Sequence, residues 1–336
     1  ALLGRWQMNA STGTIVSSIP DATLSGRFGN SHGDSPSLTW TPAEGVDGAL
    51  RLNAPGDRVE VPAPNFTHGF TVMGWIKPAA LPFSPWERFL SNQFAKGFFL
   101  GRNDNTAQWR FIVNGSAGIG TMTGGNIAHG QWQHVCGSYD GSTARLFVNG
   151  IQVASQNVAA PATPIQPLYF GSENQTDPSL RGQIDEIRIY SGAVPPAQIA
   201  SLYGEERALF NAAAAYTNWA SSHGLSGSHG AAGADFDFDG TSNETEFALG
   251  LLPGDANSRF AIAHSGEPVT GLTLTWPSQP GLAFTIRSSS DLSDWTVIEA
   301  TVPAASAPAV TTSWTTGPLS PITRFYRVEL APTLSR

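Results

Sequence analysis

The sequence predicts an all-β protein: a large two-sheet sandwich, a short helical connector and a second, smaller β-sandwich. Three observations lead there. Short segments alternate apolar and polar residues over most of the chain, as half-buried strands do. Tight-turn pairs punctuate them, in a chain of 336 residues carrying 36 Gly and 24 Pro. That texture breaks only once, for about fifty residues, and then returns.

Strand signals fill residues 1–204. "GALRLNA" and "DRVEVPA" alternate cleanly, followed by "FTVMGWIKP", "QWRFIVNG", "GQWQHVCGSYD", "TARLFVNGIQVAS", "PLYFGS" and "GQIDEIRIYSG". Asn114-Gly115, Asp140-Gly141 and Asn149-Gly150 mark turns between them. "ARLFV" and "IQVAS", on either side of Asn149-Gly150, give the clearest hairpin signal. Residues 205–254 form the connector. "PPAQIASLYGEERALFNAAAAYTNWASSHGL" reads as short helix, with Leu209, Ala212, Ala213 and Tyr216 as its packing stripe. "SGSHGAAGA" reads as a flexible break, and "TEFALGL" as one or two helical turns stopped by Gly250 and Pro253. Strands resume over 255–336 with "GLTLTWPS", "LAFTIRSSS", "WTVIEATV", "AVTTSWTT" and "TRFYRVELA".

Composition narrows the function classes. The net charge is −8, and only Lys77 and Lys96 are lysines among 18 basic residues, so no basic patch suits nucleic acid. No apolar run approaches the length of a membrane span. The opening "ALLGRWQMNAST" lacks a basic and an apolar leader segment and is read as a mature N-terminus. Cys136 is the single cysteine, in an alternating strand, which makes it a buried small hydrophobe and excludes an intrachain disulfide framework. Acidic, lysine-poor β composition fits an extracellular or cell-surface location.

The first 204 residues resemble the laminin G-like, concanavalin A-like jelly-roll superfamily. The resemblance lies in "DGALRLNAPGDRVEVP", "FTVMGWIKP", "GQWQHVCGSYDGSTARLFVNGIQVAS", "LYFGS" and "LRGQIDEIRIYSGAVPPAQIASLY", in that order. It implies the jelly-roll fold and calcium-stabilised binding of carbohydrate or protein. By the same resemblance a structural calcium is expected at Asp185, with Asp21 as companion and carbonyls around Gly29 and Asn30. His134 matches a structural position of the family. Laminarinase-type hydrolases share the fold, but their E-x-D-x-E strand is absent. The nearest match, Asp185 and Glu186 in "QIDEIRIY", places adjacent carboxylates on opposite faces. Residues 213–330 resemble C-terminal appendages of secreted verrucomicrobial and planctomycete proteins.

Other chemistry is missing: no G-x-S-x-G, H-E-x-x-H, phosphate loop or C-x-x-C occurs, and the seven His are scattered. Among 10 Trp, Trp75 and Trp132 are assigned to core strands, and Trp276, Trp295 and Trp314 to packing of the second sandwich. Trp86, in a Pro-rich loop, and Trp109, in "RNDNTAQWRF" with Arg102, Asn103, Asp104 and Arg110, are the candidate sugar platforms.

The stretch "DFDFDGTSNETE" fits D-x-[DN]-x-[DN]-G-x₅-E, the calcium loop of an EF-hand, at each constrained position. Asp235, Asp237 and Asp239 take positions 1, 3 and 5, and Gly240 the sharp turn. Thr241 offers its carbonyl, Asn243 stands at position 9, and Glu246 is the bidentate ligand. Glu244 is read as solvated, and Phe236 and Phe238 as flanking packing. The loop occurs once and lacks a directly preceding helix, so it is read as a calcium clamp between two β domains, neither sensor nor dockerin.

The sequence therefore predicts a non-catalytic, secreted protein with two calcium sites, binding glycan or extracellular matrix. The alternatives are a self-associating structural subunit of a filament, sheath or surface layer, and a polysaccharide-degrading jelly-roll enzyme.

Overall fold

A computed structural model describes residues 1–29, 37–41, 44–46, 48–64, 69–80, 84–92, 97–115, 118–159, 167–173, 178–267, 270–279, 282–306, 311–318 and 324–331. The chain divides into two units, Ala1–Ala215 and Tyr216–Arg336.

The first unit is a jelly-roll sandwich of two antiparallel sheets. One runs, in spatial order, Ile151–Asn157, Thr143–Val148, Gln133–Tyr139, Phe70–Pro78, Gly182–Ser191, Leu2–Trp6 and Ile19–Pro20, with Ala49–Leu52 also on Gly182–Ser191 and Thr39–Thr41 beside it. The other runs Gly118–Asn126, Gln108–Gly115, Phe98–Arg102, Arg88–Asn92, Leu168–Gly171, Arg58–Val61, Gly26–Phe28 and Ile15–Val16. Alternate residues of both sheets meet in one core that includes Trp6, Val72, Leu100, Trp109, Phe111, Leu146, Phe170 and Ile187. The Asn149-Gly150 hairpin forms as its sequence demands: Val148 pairs with Ile151, and φ is +51° at Asn149 and +76° at Gly150. Both central residues of that turn need positive φ.

The outer side of the first sheet is covered by a helix, α1, Pro196–Ser222. It is a single 27-residue helix, not a short one. Proline suits its first turn, where no backbone N–H is needed. Within the first unit its buried positions are Ile199, Glu206 and Phe210, flanked by Leu202 and Tyr203, so the stripe on the sheet begins N-terminal to the expected Leu209–Tyr216 set. Trp75 stacks on Phe210 at 4.2 Å and on Tyr203 at 5.7 Å between ring centroids, and its indole N–H donates to Glu206 at 2.6 Å. The driving force is burial of aromatic surface, and the one acid in the stripe is matched by the indole and by Arg188. Cys136 and Met73 lie with Val194 and Ile199 in this layer.

The second unit holds two three-stranded sheets. Gly271–Pro277 is flanked by Ala263–Glu267 and Thr311–Thr315; Ala283–Ser289 is flanked by Thr296–Pro303 and Phe325–Leu330. Trp276, Phe284, Ile286 and Val328 form its core, with Leu249 and Leu251 joining from the segment before it. Trp276 and Trp314 pack as expected, but Trp295 lies outside this cluster, beneath the Arg327 guanidinium at 5.8 Å. The segment expected to be a flexible break instead forms a 3-10 turn, Gly227–Gly230. A short helix, α2, Asn243–Leu249, follows, capped by the Ser242 side chain and closed by Gly250 at φ +70°.

Candidate functional site

The acidic loop folds around its own carboxylates. Asp235, Asp237 and Asp239 each turn one oxygen into a cluster whose members lie within 4.8 Å of one another; among the described residues no other trio of His, Cys, Asp or Glu does so. The backbone that brings them together bends twice through positive φ, +63° at Phe238 and +95° at Gly240. The outer oxygens are used within the loop. Asp235 accepts from the Gly240 amide at 2.9 Å, Asp237 from Asp239 at 3.3 Å, and Asp239 from Thr241 at 2.7 Å. The inner ones, Asp235 Oδ1, Asp237 Oδ2 and Asp239 Oδ2, are buried without a partner, and so are both oxygens of Glu246.

Glu246 stands on the first turn of α2 and is fully buried. Burial, reinforced by the three aspartates, raises its pKa from 4.5 to about 7. Unpaired buried oxygens are costly, and five from one loop form a hard-oxygen donor set suited to Ca²⁺. Asn243 has a second duty. Its side-chain amide donates to the carbonyls of His229 and Ala231 at 2.8 and 3.1 Å, while its backbone amide donates to Ala234 at 2.7 Å. It thus straps the preceding turn to the loop, with Oδ1 left buried and unpartnered. Thr241 follows the turn, its carbonyl being its expected contribution.

Phe236 and Phe238 correct the sequence reading. Phe236 is 38% exposed with its ring edge against His229, and Phe238 is 85% exposed. Alternation sends residues between ligands outward, and at position 4 outward means into solvent.

The residues expected to hold the second calcium each have partners within the protein. Asp21 is exposed and accepts from the amide and hydroxyl of Thr23 at 2.9 and 2.6 Å, which lowers its pKa. Asp185 is buried, accepting from the Val46 amide at 3.0 Å and from the Glu186 amide at 2.7 Å. Gly29 donates to the Arg58 carbonyl at 2.8 Å and so extends the opposite sheet. Asn30 lies outside the described residues.

Nor do Asp185 and Glu186 keep simple strand alternation. The register slips between Asp185 and Arg188, and φ is +50° at Glu186, as in a bulge. Glu186 then meets Arg5 at 2.7 Å and Arg188 at 3.2 Å. Elsewhere, burial and Arg188 depress the His134 pKa to about 3, and burial alone pushes the Cys136 thiol up. Neither group is fit to act as base or nucleophile near neutrality.

Of the two expected sugar platforms, only Trp86 reaches the surface. Trp109 is 0% exposed and packs with Phe89 in the core at 6.4 Å. Arg102 is buried too, paired with Glu87 at 2.9 Å. Trp86 is 39% exposed, with φ +60°. It borders a recess of about 320 Å³ shared with Pro85, Arg88, Phe99, Arg110, Ile112 and Pro178. The recess sits on the outer face of the eight-stranded sheet, since Arg110 and Ile112 alternate with the core residues Trp109, Phe111 and Val113. The Arg110 guanidinium lies 4.6 Å from the Trp86 ring centroid and donates to Asn103 Oδ1 at 3.1 Å, so Asn103 enters the site only through Arg110. Arg110, which the sequence offers only as a neighbour of Trp109, is the residue that reaches the Trp86 indole.

Residues 53–200 match a family model, Laminin_G_3, described as the concanavalin A-like lectin/glucanases superfamily. No curated relative matches the sequence. Among solved structures, domain 4 of AbnA, a GH43 extracellular arabinanase from Geobacillus stearothermophilus in complex with arabinotriose, is 20% identical at a TM-score of 0.43, covering 60% of this chain and 98% of that one. Trypanosoma rangeli sialidase is 17% identical at a TM-score of 0.45, with 62% of this chain aligned to only 33% of the sialidase. The binding domain of Paraclostridial Mosquitocidal Protein 1 is 12% identical at 0.47, covering 92% and 69%. No helix among the described residues is long and apolar enough to cross a membrane. The sandwich and the family match agree: the first unit is a jelly-roll sandwich, and its residues 53–200 match the model of the concanavalin A-like lectin/glucanases superfamily.

Proposed function

We propose that this chain is a non-catalytic, calcium-binding protein that binds glycan through its lectin-like sandwich, outside the cell or at its surface. The observation that carries the reading is Trp86: an exposed indole bordering a recess walled by Phe99, Ile112, Arg88 and Arg110. Sugar recognition needs this combination, an aromatic surface for the apolar face of a pyranose beside fixed polar donors. The non-catalytic part is supported by the fate of the acids. Glu186 is tied to Arg5 and Arg188, Asp185 to the Val46 amide, and Glu87 to Arg102. The calcium part is supported by the buried, unpartnered oxygens of Asp235, Asp237, Asp239 and Glu246.

A glycan array probed with the full chain tests the reading. Binding to a defined set of glycans is expected, and Trp86→Ala should abolish it while leaving the melting temperature unchanged. An array without a positive, from a folded and calcium-loaded sample, would overturn it. Release of reducing sugar from a bound polysaccharide would replace it with a hydrolase.

A further inference from the structure

The Trp86 recess has a charge that its surroundings do not balance. Its described lining contains two guanidinium groups, Arg88 and Arg110, and no carboxylate. Glu87, next in sequence to Trp86, turns inward, where it is buried and paired with Arg102 at 2.9 Å. Arg88 has a partner in Glu173 at 3.5 Å. Arg110 has no carboxylate within ion-pair distance among the described residues. Its contacts are neutral oxygens, Asn103 Oδ1 at 3.1 Å and Thr121 Oγ1 at 3.4 Å, with Nε buried and unpartnered. Asp104 acts on it only through its field, and burial lowers the pKa of the guanidinium. Three other buried or half-buried arginines of this unit, Arg5, Arg102 and Arg188, are each paired with a glutamate. In a chain of net charge −8, a desolvated and unmatched guanidinium beside an exposed indole is out of pattern.

We infer that the recess takes an acidic sugar, whose carboxylate or sulfate is held by Arg110 while its ring rests against Trp86 and Phe99. This rests on the glycan-binding reading and adds the ligand class. The physical reason is that a planar guanidinium presents a fork of donors matching a carboxylate or sulfate. Two of its nitrogens already hold neutral oxygens, which fixes the plane before the ligand arrives. Arg88, over the Phe99 ring at 5.7 Å, adds a second positive charge to the same wall. The chain's net negative charge does not oppose this, because screening at physiological salt acts beyond about 8 Å.

The test is affinity electrophoresis of the full, calcium-loaded chain in gels containing polygalacturonate, a sulfated galactan or neutral galactan at 150 mM salt. Retention by one of the two acidic polymers is expected at a concentration about tenfold lower than by neutral galactan. Which of them retains the chain identifies carboxylate or sulfate as the recognised group. Arg110→Gln should lose that advantage and keep the neutral retention; Arg110→Lys, with charge but without the fork, should fall between. Trp86→Ala should lose retention by all polymers. Equal retention by acidic and neutral polymers, or an acidic preference unchanged in Arg110→Gln, overturns the acidic-sugar inference and leaves the glycan reading standing. Retention by none of the three overturns the acidic-sugar inference, while the glycan array alone decides the glycan reading. Melting curves of the variants matching the parent exclude misfolding as the cause.

Discussion

Buried carboxylates occur in both units, and the two units satisfy them by opposite means. In the sandwich, each finds a partner from the chain. Glu87 has Arg102, Glu186 has Arg5 and Arg188, Glu206 has Arg188 and the Trp75 indole. Asp57 gathers the amides of Ser37, Asn53 and Ala54 at 2.7 to 2.9 Å. In the loop of 235–246 three aspartates converge, Glu246 feels their charge, and among the described residues no cation pairs with them; their inner oxygens are buried and unpartnered. The same residue types are structural in one region and ligand-demanding in the other. What separates them is whether the fold supplies the counter-charge.

The largest expected effect separates the two regions by chelation. Calcium that binds only the folded loop stabilises it by about 4 kcal/mol at a thousand times its Kd. For a unit of this size that is on the order of 15 °C in Tm. Calorimetry with and without EDTA should move only the transition of the second unit, and Glu246→Gln should remove most of the shift. The calcium-free loop should also respond to pH. Because the folded pKa of Glu246 is raised to about 7 from 4.5, its protonated form favours the fold below 4.5, and that contribution is lost as pH rises through 7. Calcium binding should weaken as pH falls below 7, where protons compete for the same oxygens. A calcium-free Tm that rises between pH 5 and 7 would contradict this account of Glu246.

The paired side of the comparison is broken by Glu206→Leu. Removing that carboxylate leaves Arg188 with Glu186 alone and the Trp75 N–H without an acceptor beneath α1. Stranding part of a buried pair costs about 3 kcal/mol. The loss should appear in the first transition by chemical denaturation and be indifferent to calcium. A calcium-dependent loss would mean that the carboxylates of the two units are not independent.

Much of this was legible in the sequence. Alternation and turn pairs revealed the sandwich, and the five constrained positions of 235–246 revealed the loop, because both are local patterns with fixed spacing. Trp109 was also legible and was misread: in "QWRFIVNG" it shares a face with Phe111 and Val113, which marks it as core and Arg110 as outward. The partner of Asp185 was not legible, since the Val46 amide from which it accepts lies 139 residues away in sequence. The Arg188, Glu206 and Trp75 network joins strands and a helix far apart in sequence, and no spacing rule connects them. The bulge at Glu186, which undid the two-face argument, leaves no mark beyond an acid beside an acid.

Phe238 gives the smallest expected effect, and it tests what sets the loop's shape. It is 85% exposed and holds φ at +63°, a conformation that bulky side chains adopt at a cost and glycine adopts freely. Two terms act in opposite directions in Phe238→Gly. Relief of the strained backbone favours the folded loop by on the order of 1 kcal/mol, while the freer unfolded chain disfavours it by somewhat less. With almost no packing to lose, the net should be a gain of about 0.5 kcal/mol, with calcium affinity raised or unchanged. If the variant instead weakens calcium binding several-fold with the aspartates intact, the ring shields the site from water, and the carboxylates of this loop depend on a neighbour after all.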